Sequence, residues 1–306
     1  MSSIDQRGNR QNLGFTLVEL LVSLAIGLII TLVVMQAYLS SVTTQQSQTD
    51  QTRLNESARF AFDLIGKSIR RAGYRNTFAL YPSTYNGTTF AQEFCATGTA
   101  GSMLAAANDT SSINPTATNF SGSVVTTLNK SDAFRARYYG EDNALGTAAE
   151  GSVLDCLGNS VRRGTLVEET LFIAADPANN NEPTLFCNTT NPVSAGTVAL
   201  IPGVESIQFL YGEDSDNDGV INRYVPSSSV SQWNNILSVR VGIVVRTPNT
   251  VSNESSVKKF NLFGASYAPG DAPPSGDAGS VFSAPADRRV RLMQTTEIAL
   301  RNYPQC

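Results

Sequence analysis

Histidine is absent from all 306 residues. That removes Ser-His-Asp and Cys-His nucleophile pairs, HExxH zinc sites and most metal–imidazole chemistry. Only carboxylate or lysine chemistry is left, so the expectation is a protein that is not an enzyme. Charge is sparse as well: 16% of residues are charged and the net charge is −4, with no basic run. Such a chain has little with which to neutralise phosphate backbones, and no direct nucleic-acid partner is expected. The four cysteines, Cys95, Cys156, Cys187 and Cys306, contain no CxxC pair. In an exported domain they are expected as disulfides, for which three connectivities exist. Cys156 and Cys187 are nearest in sequence and each lies beside a plausible strand, which favours that pair. Cys95–Cys306 would then tether the C-terminal end.

Against this background one stretch stands out. From Phe15 to Leu39 only Glu19 carries a charge. At about 1.5 Å per residue a helix of that length spans roughly 37 Å, enough to cross a bilayer with some tilt. Arg7 and Arg10 precede it with a single acid, Asp5. That small positive excess keeps the N-terminus cytoplasmic and sends the C-terminal bulk outward. A carboxylate inside an apolar span is costly and ordinarily has a functional partner. The apolar run is too long for a secretory signal, and the candidate cleavage site precedes it instead of following it. An uncleaved anchor would explain the length but not Gly-Phe followed by Glu.

The order of a short polar leader, Gly14, Phe15 and an apolar helix with Glu19 as its fifth residue resembles the N-terminus of type IV prepilins. The resemblance implies that prepilin peptidase cuts between Gly14 and Phe15, removing residues 1–14, and that Phe15 becomes N-methylated. It also implies that Glu19 pairs with the N-terminal amine of a neighbouring subunit during assembly. The physics agrees, because a carboxylate buried among packed helices needs a compensating cation.

Beyond the membrane segment (15–39) the helix is expected to continue to about residue 73. Leu54, Ala58, Phe62, Ile65 and Ile69 form one apolar stripe. Asp63 and Lys67 make an i,i+4 pair, Arg70 and Arg71 suit the C-terminal end of the dipole, and Gly73 is a ready cap. Residues 74–306 then form a β-rich exported domain. Within it, residues 76–150 read as variable loops with short strands at 123–128 and 133–139. Further strands are expected at 152–157, 165–174, 184–187, 198–201, 204–211, 236–246, 260–263 and 289–301, with turns at 176–181 and a Pro/Gly/Ala loop at 265–287. One long helix followed by mostly antiparallel sheet is an α+β fold.

One constellation carries metal chemistry. Asp214, Asp216 and Asp218 alternate and Gly219 follows, the first half of a D-x-[DN]-x-[DN]-G calcium loop. The carbonyl of Val220 and the side chain of Asn222 would complete part of the shell. Val225 stands where an EF-hand has its bidentate Glu, so the site is not an EF-hand and would bind calcium weakly. A solvated, metal-free hairpin is the competing reading. The stretch from Gly203 to Val225, GVESIQFLYG, the aspartate loop and then NRYV, is similar to the C-terminal region of PilW-type minor pilins, as is the ending TTEIALRN. That likeness implies a minor pilin that primes pilus assembly within a tip complex, supporting twitching, adhesion or DNA uptake. Its partners would be other minor and major pilins through the N-terminal helix, inner-membrane assembly machinery and a possible tip adhesin. The location implied is the bacterial inner membrane before assembly and the extracellular filament afterwards. A J-like minor pseudopilin of a type II secretion system, or a tip module that binds a surface ligand, are the alternatives.

Overall fold

A computed structural model describes residues 14–75, 84–85, 88–89, 94, 101–143, 145–250 and 257–302. The leader up to residue 13, Cys95 and Cys306 lie outside the described residues. Two units are distinguished, one up to Thr49 and one from Asp50 onward. A single helix, α1 (Leu17–Arg71), contributes to both.

In the first unit every apolar side chain from Phe15 to Leu39 is exposed, and the helix there is long and apolar enough to cross a membrane. In the second unit α1 buries Leu54, Ala58, Ala61, Ile65 and Ile69. The stripe is thus made with Ala61, and Phe62 is only partly buried against the core. Burying each Leu or Ile contributes roughly 1.5–3 kcal/mol. The helix ends at Gly73, whose φ of +75° favours glycine and whose amide donates to the carbonyl of Arg137 at 2.8 Å. Asn302 Nδ2 caps the same end, reaching the carbonyls of Arg70 at 2.9 Å and Ala72 at 3.3 Å.

The strands, in chain order, are β1 (Thr84–Tyr85), β2 (Thr88–Thr89), β3 (Leu104–Ala107), β4 (Ser112–Ile113), β5 (Val125–Thr126), β6 (Ala133–Tyr139), β7 (Leu166–Asp176), β8 (Glu182–Thr189), β9 (Gly196–Pro202), β10 (Val204–Glu213), β11 (Arg223–Val225), β12 (Ile236–Arg246), β13 (Lys258–Asn261), β14 (Val281–Ala284) and β15 (Arg291–Ala299). Among the described residues all the strand pairs are antiparallel. Five strands make one sheet in the order β3-β6-β7-β8-β9, and four make another in the order β11-β10-β12-β15. The stripe of α1 shares one core with Phe134, Leu171 and Leu185 of the first sheet and Ile207, Phe209, Val239, Val241 and Ile243 of the second. The hairpin of β13 and β14 covers the far side of the four-stranded sheet, where Leu262 and Phe282 meet Leu210 and Val244. Gly242 lies under Leu262 so closely that a Cβ would come within 2.9 Å of it.

Two expectations change. Residues 152–157 form turns with an isolated bridge from Leu154 to Ser160, not a strand. Asp155 dictates this: its carboxylate accepts from the amides of Leu157 and Asn159, and from Asn191 and Ser194, which fold the chain back on itself. The region 76–150 is also not all surface. β6 lies inside the five-stranded sheet and each of its seven residues is buried. Its arginines are the reason it reads as polar. Arg135 is wholly buried, yet it donates to Thr170 Oγ1 at 2.9 Å and to the carbonyls of Pro115 at 2.6 Å and Ala117 at 2.8 Å. Burial lowers its pKa to about 10, with Glu168 pulling the other way.

Candidate functional sites at the helix start and the aspartate loop

Gly14, Phe15 and Thr16 precede the helix in extended or irregular backbone. Thr16 Oγ1 accepts the amide of Glu19 at 3.3 Å, and the carbonyl of Thr16 accepts the amide of Leu20 at 3.2 Å. Thr16 therefore serves as the N-cap, and Glu19 falls in the first turn, where a negative charge suits the positive end of the helix dipole. The carbonyl of Glu19 accepts the Ser23 hydroxyl at 2.7 Å. Phe15 is 82% exposed, and a Cβ on Gly14 would meet nothing within 4 Å. Nothing in the described chain therefore demands glycine at position 14.

The aspartate loop joins β10 to β11. Pairing of Glu213 with Arg223 and of Gly212 with Tyr224 closes its base. Buried Glu213 holds that base: it receives Arg223 at 2.8 Å, the amides of Ser231 and Gln232 at 2.9 and 2.8 Å, and the Ser231 hydroxyl. Asp214, Asp216 and Asp218 each offer a carboxylate oxygen, and the three oxygens lie within 4.8 Å of one another. Burial pushes the Asp214 carboxyl up, but the amides of Gly219, Asn217 and Asp218 and a hydrogen bond with Asp216 outweigh it and hold it below the ordinary range. Asp218 Oδ1 accepts the amide of Val220 at 2.8 Å. Asn222 Oδ1 is engaged with the amide and hydroxyl of Ser215, at 2.6 and 3.0 Å. The carboxylates are thus together, a hard all-oxygen donor set that fits a calcium ion, whereas the Asn222 oxygen must leave Ser215 to join them.

Cys156 and Cys187 are joined by a disulfide, which fastens the turns before Asn159 to strand β8. Three charged clusters bring together carboxylates that nothing in the sequence pairs with their partners. Buried Glu169 gathers Ser68, Arg71 and Tyr138. Glu182 and Glu205 gather Arg246, Arg289 and Arg291, bridging β8, β10, β12 and β15. Asp109, Asp132 and Asp277 come from distant positions to one place. Arg289 and Arg291, two residues apart on the approach to β15, hint at a basic strand edge but do not reveal the carboxylates they meet.

Two family models match the chain. One, described as the prokaryotic N-terminal methylation motif, covers residues 9–35. The other, type IV pilus-assembly protein W, covers residues 170–302, from the middle of β7 through β15. Among solved structures the chain is similar to a type IV-like pilin from Thermus thermophilus, at 13% identity and a TM-score of 0.40, over 82% of this chain and 98% of that one. That likeness is too loose to carry an argument about this chain. No curated protein matches the sequence. The methylation motif over residues 9–35 and the pilus-assembly region over residues 170–302 together support a type IV prepilin-like protein, similar to minor pilins of the PilW kind.

Proposed function

We propose that this protein takes part in priming assembly of the type IV pilus, within a complex of minor pilins at the filament tip. A general role in pilus assembly is supported by the two family-model matches. The observation that supports processing and entry into a filament, on which the finer reading rests, is the start of α1, where an exposed apolar helix carries a lone carboxylate in its first turn and follows a glycine that the fold does not require. An enzyme that must reach the backbone explains that glycine, because a side chain there would crowd the scissile bond. On this reading prepilin peptidase removes residues 1–14 and Phe15 is methylated. The new N-terminus then inserts beside other pilins, whose helices cover the exposed apolar surface. Before assembly the protein sits in the inner membrane, and afterwards in the filament, where a tip adhesin is a candidate partner.

The deciding experiment is intact mass with N-terminal sequencing of protein taken from membranes that contain the peptidase. The expected result is a chain that begins at methylated Phe15. Recovery of full-length protein alone would remove this reading. Gly14→Val should leave the fold unchanged, since the position is open, while blocking cleavage.

The aspartate loop is proposed to hold calcium, with Asp214, Asp216 and Asp218 as ligands. Lacking the twelfth-position Glu, it should bind in the range of about 10⁻⁴–10⁻³ M typical of extracellular modules. Calcium at roughly ten times that constant should raise the melting temperature of the detergent-solubilised protein by about 3 °C. Asp216→Ala with Asp218→Ala should abolish the shift and leave the fold intact, because both residues are exposed. A melting curve indifferent to 5–10 mM calcium, roughly tenfold over such a constant, would return the loop to an ordinary polar hairpin.

A further inference from the structure

We propose that the segment between β13 and β14, from Gly264 to Ser280, is held down by a proton-controlled latch built from Asp277, Asp109 and Asp132, closed in mild acid and loosened toward neutral pH.

The segment has little of its own to hold it. It contains only two short 3-10 turns, Pro269–Asp271 and Ala278–Ser280, and no lysine or arginine. Its first half is tied to β13 by Asn261 Nδ2, which donates to the carbonyl of Ala268 at 2.8 Å, and Tyr267 packs against Phe263. Its second half is tied through the residues after β3. Asp109 accepts the amides of Ala278 and Gly279, each at 2.6 Å, and Asn108 Nδ2 donates to the carbonyl of Gly276 at 2.7 Å. Gly279 fits a narrow slot, since a Cβ there would come within 2.1 Å of Gln208 Nε2 and 2.4 Å of the Lys130 carbonyl. Within the segment, the Tyr267 hydroxyl donates to Asp277 Oδ2.

The charged groups hydrogen-bonded at this contact are carboxylates, while Lys130 and Lys259 line the open cleft on the outer side of Ala278 and Gly279, together with Asp271. Asp132, ahead of β6, is buried and accepts the amides of Asp109 and Phe209, both at 2.9 Å. Asp277 is 1% exposed. The groups that face it are Tyr267 from its own segment, Asn108 and Asp109 beyond β3, and Asp132 ahead of β6. From β10 come Gln208 and the amide of Phe209, and from the turn before β6 comes Lys130, whose carbonyl is turned to Gln208 while its side chain is exposed. The largest influences on Asp277 and Asp132 come from burial, hydrogen bonds and other carboxylates, not from an ammonium or guanidinium. Asp277 Oδ1 is buried with no hydrogen-bond partner, and Asn108 Oδ1 and Gln208 Oε1 also lack donors. A proton on Asp277 removes one of the crowded charges and supplies a donor where only acceptors are spare.

Burial first, and then the charge of Asp109, push the Asp277 carboxyl up to about 6, against the pull of Tyr267 and Asn108. A carboxyl raised on folding above its ordinary 3.8 stabilises the closed form as pH falls. The contribution is complete below about 3.8 and is lost as pH rises through about 6. Asp132, raised by burial and by the charges of Asp277 and Asp109, moves with the same sign. Between pH 5 and pH 7.5 the Asp277 proton alone should make opening of the segment about tenfold more frequent.

Amide hydrogen exchange on the full-length protein in detergent with EDTA, corrected for the intrinsic pH dependence of exchange, reads this directly. Amides from Gly264 to Ser280 should open about tenfold more often at pH 7.5 than at pH 5. Asp277→Asn, which keeps an acceptor for Tyr267, should bring that ratio toward one and leave the segment protected at both pH values. Equal protection of the wild type at the two values, or an undiminished ratio in Asp277→Asn, would overturn the latch. Should the variant not fold, the carbon resonance of the wild-type Asp277 carboxyl decides: a midpoint near 6 supports the proposal and one below 4.5 rejects it.

Discussion

Glu169→Ala should cost the domain about 3–5 kcal/mol, the range found when one partner of a buried ion pair is removed. Glu169 is fully buried on β7, and four donor contacts converge on its carboxylate: Ser68 Oγ at 2.9 Å, Arg71 at 2.9 and 3.2 Å, and the Tyr138 hydroxyl. Burial raises its pKa, while Arg71, Tyr138 and Ser68 pull it back. Two of the donors belong to the last turn of α1 and the third to β6, so one side chain ties the helix end to the centre of the five-stranded sheet. Alanine leaves a cavity and two buried hydroxyls without an acceptor. Arg71 retains some access to solvent, its side chain being 20% exposed, which softens the loss. Glu169→Gln keeps an acceptor and should cost less than half as much. Thermal melting of the detergent-solubilised protein separates the two variants. A Glu169→Ala protein that melts within 2 °C of wild type would show that the helix end is held by its apolar stripe alone.

The contrast between Glu169 and the stripe shows what the sequence could and could not disclose. The limits of β12, Ile236–Arg246, are legible because Val239, Val241, Ile243 and Val245 alternate with Ser238 and Arg240, a period of two that only a strand satisfies. The helix stripe is legible by its spacing for the same reason. Periodicity records which face is apolar; it does not record which charges meet across a hundred residues. Ser68 and Glu169 are 101 residues apart, and Asp109 and Gly279 are 170 apart. Arginines in β6 read as surface, although backbone carbonyls of the preceding loop satisfy Arg135 in the interior. By alternation alone β10 has one apolar face, Ile207, Phe209 and Tyr211, and one mixed face, Ser206, Gln208 and Leu210. All ten of its residues are buried, because the β13–β14 hairpin covers its other face. The aspartate loop lies at the opposite extreme. Its residues are contiguous, so local spacing was enough to bring Asp214, Asp216 and Asp218 together.

Glu19→Val should leave membrane insertion intact or improved and should abolish incorporation into pili. The first half follows from removing a charge from the apolar span, where a carboxylate is unfavourable by up to about 2.5–3.5 kcal/mol at mid-membrane and by less near an interface. The helix itself loses little, because Thr16 caps it through the backbone amide of residue 19, which valine retains. The second half follows from the proposed pairing with the freed N-terminal amine of a neighbour. Truncating one member of a buried, hydrogen-bonded charge pair at an interface costs about 2–5 kcal/mol, enough to weaken docking by one to several orders of magnitude. Glu19→Asp, which keeps the charge on a shorter arm, should fall between valine and the wild type. Quantitative detection of each variant in sheared filaments, with inner-membrane levels measured in parallel, distinguishes failed assembly from failed insertion. Valine at 19 with wild-type levels in both fractions would leave Glu19 without an assembly role in this subunit.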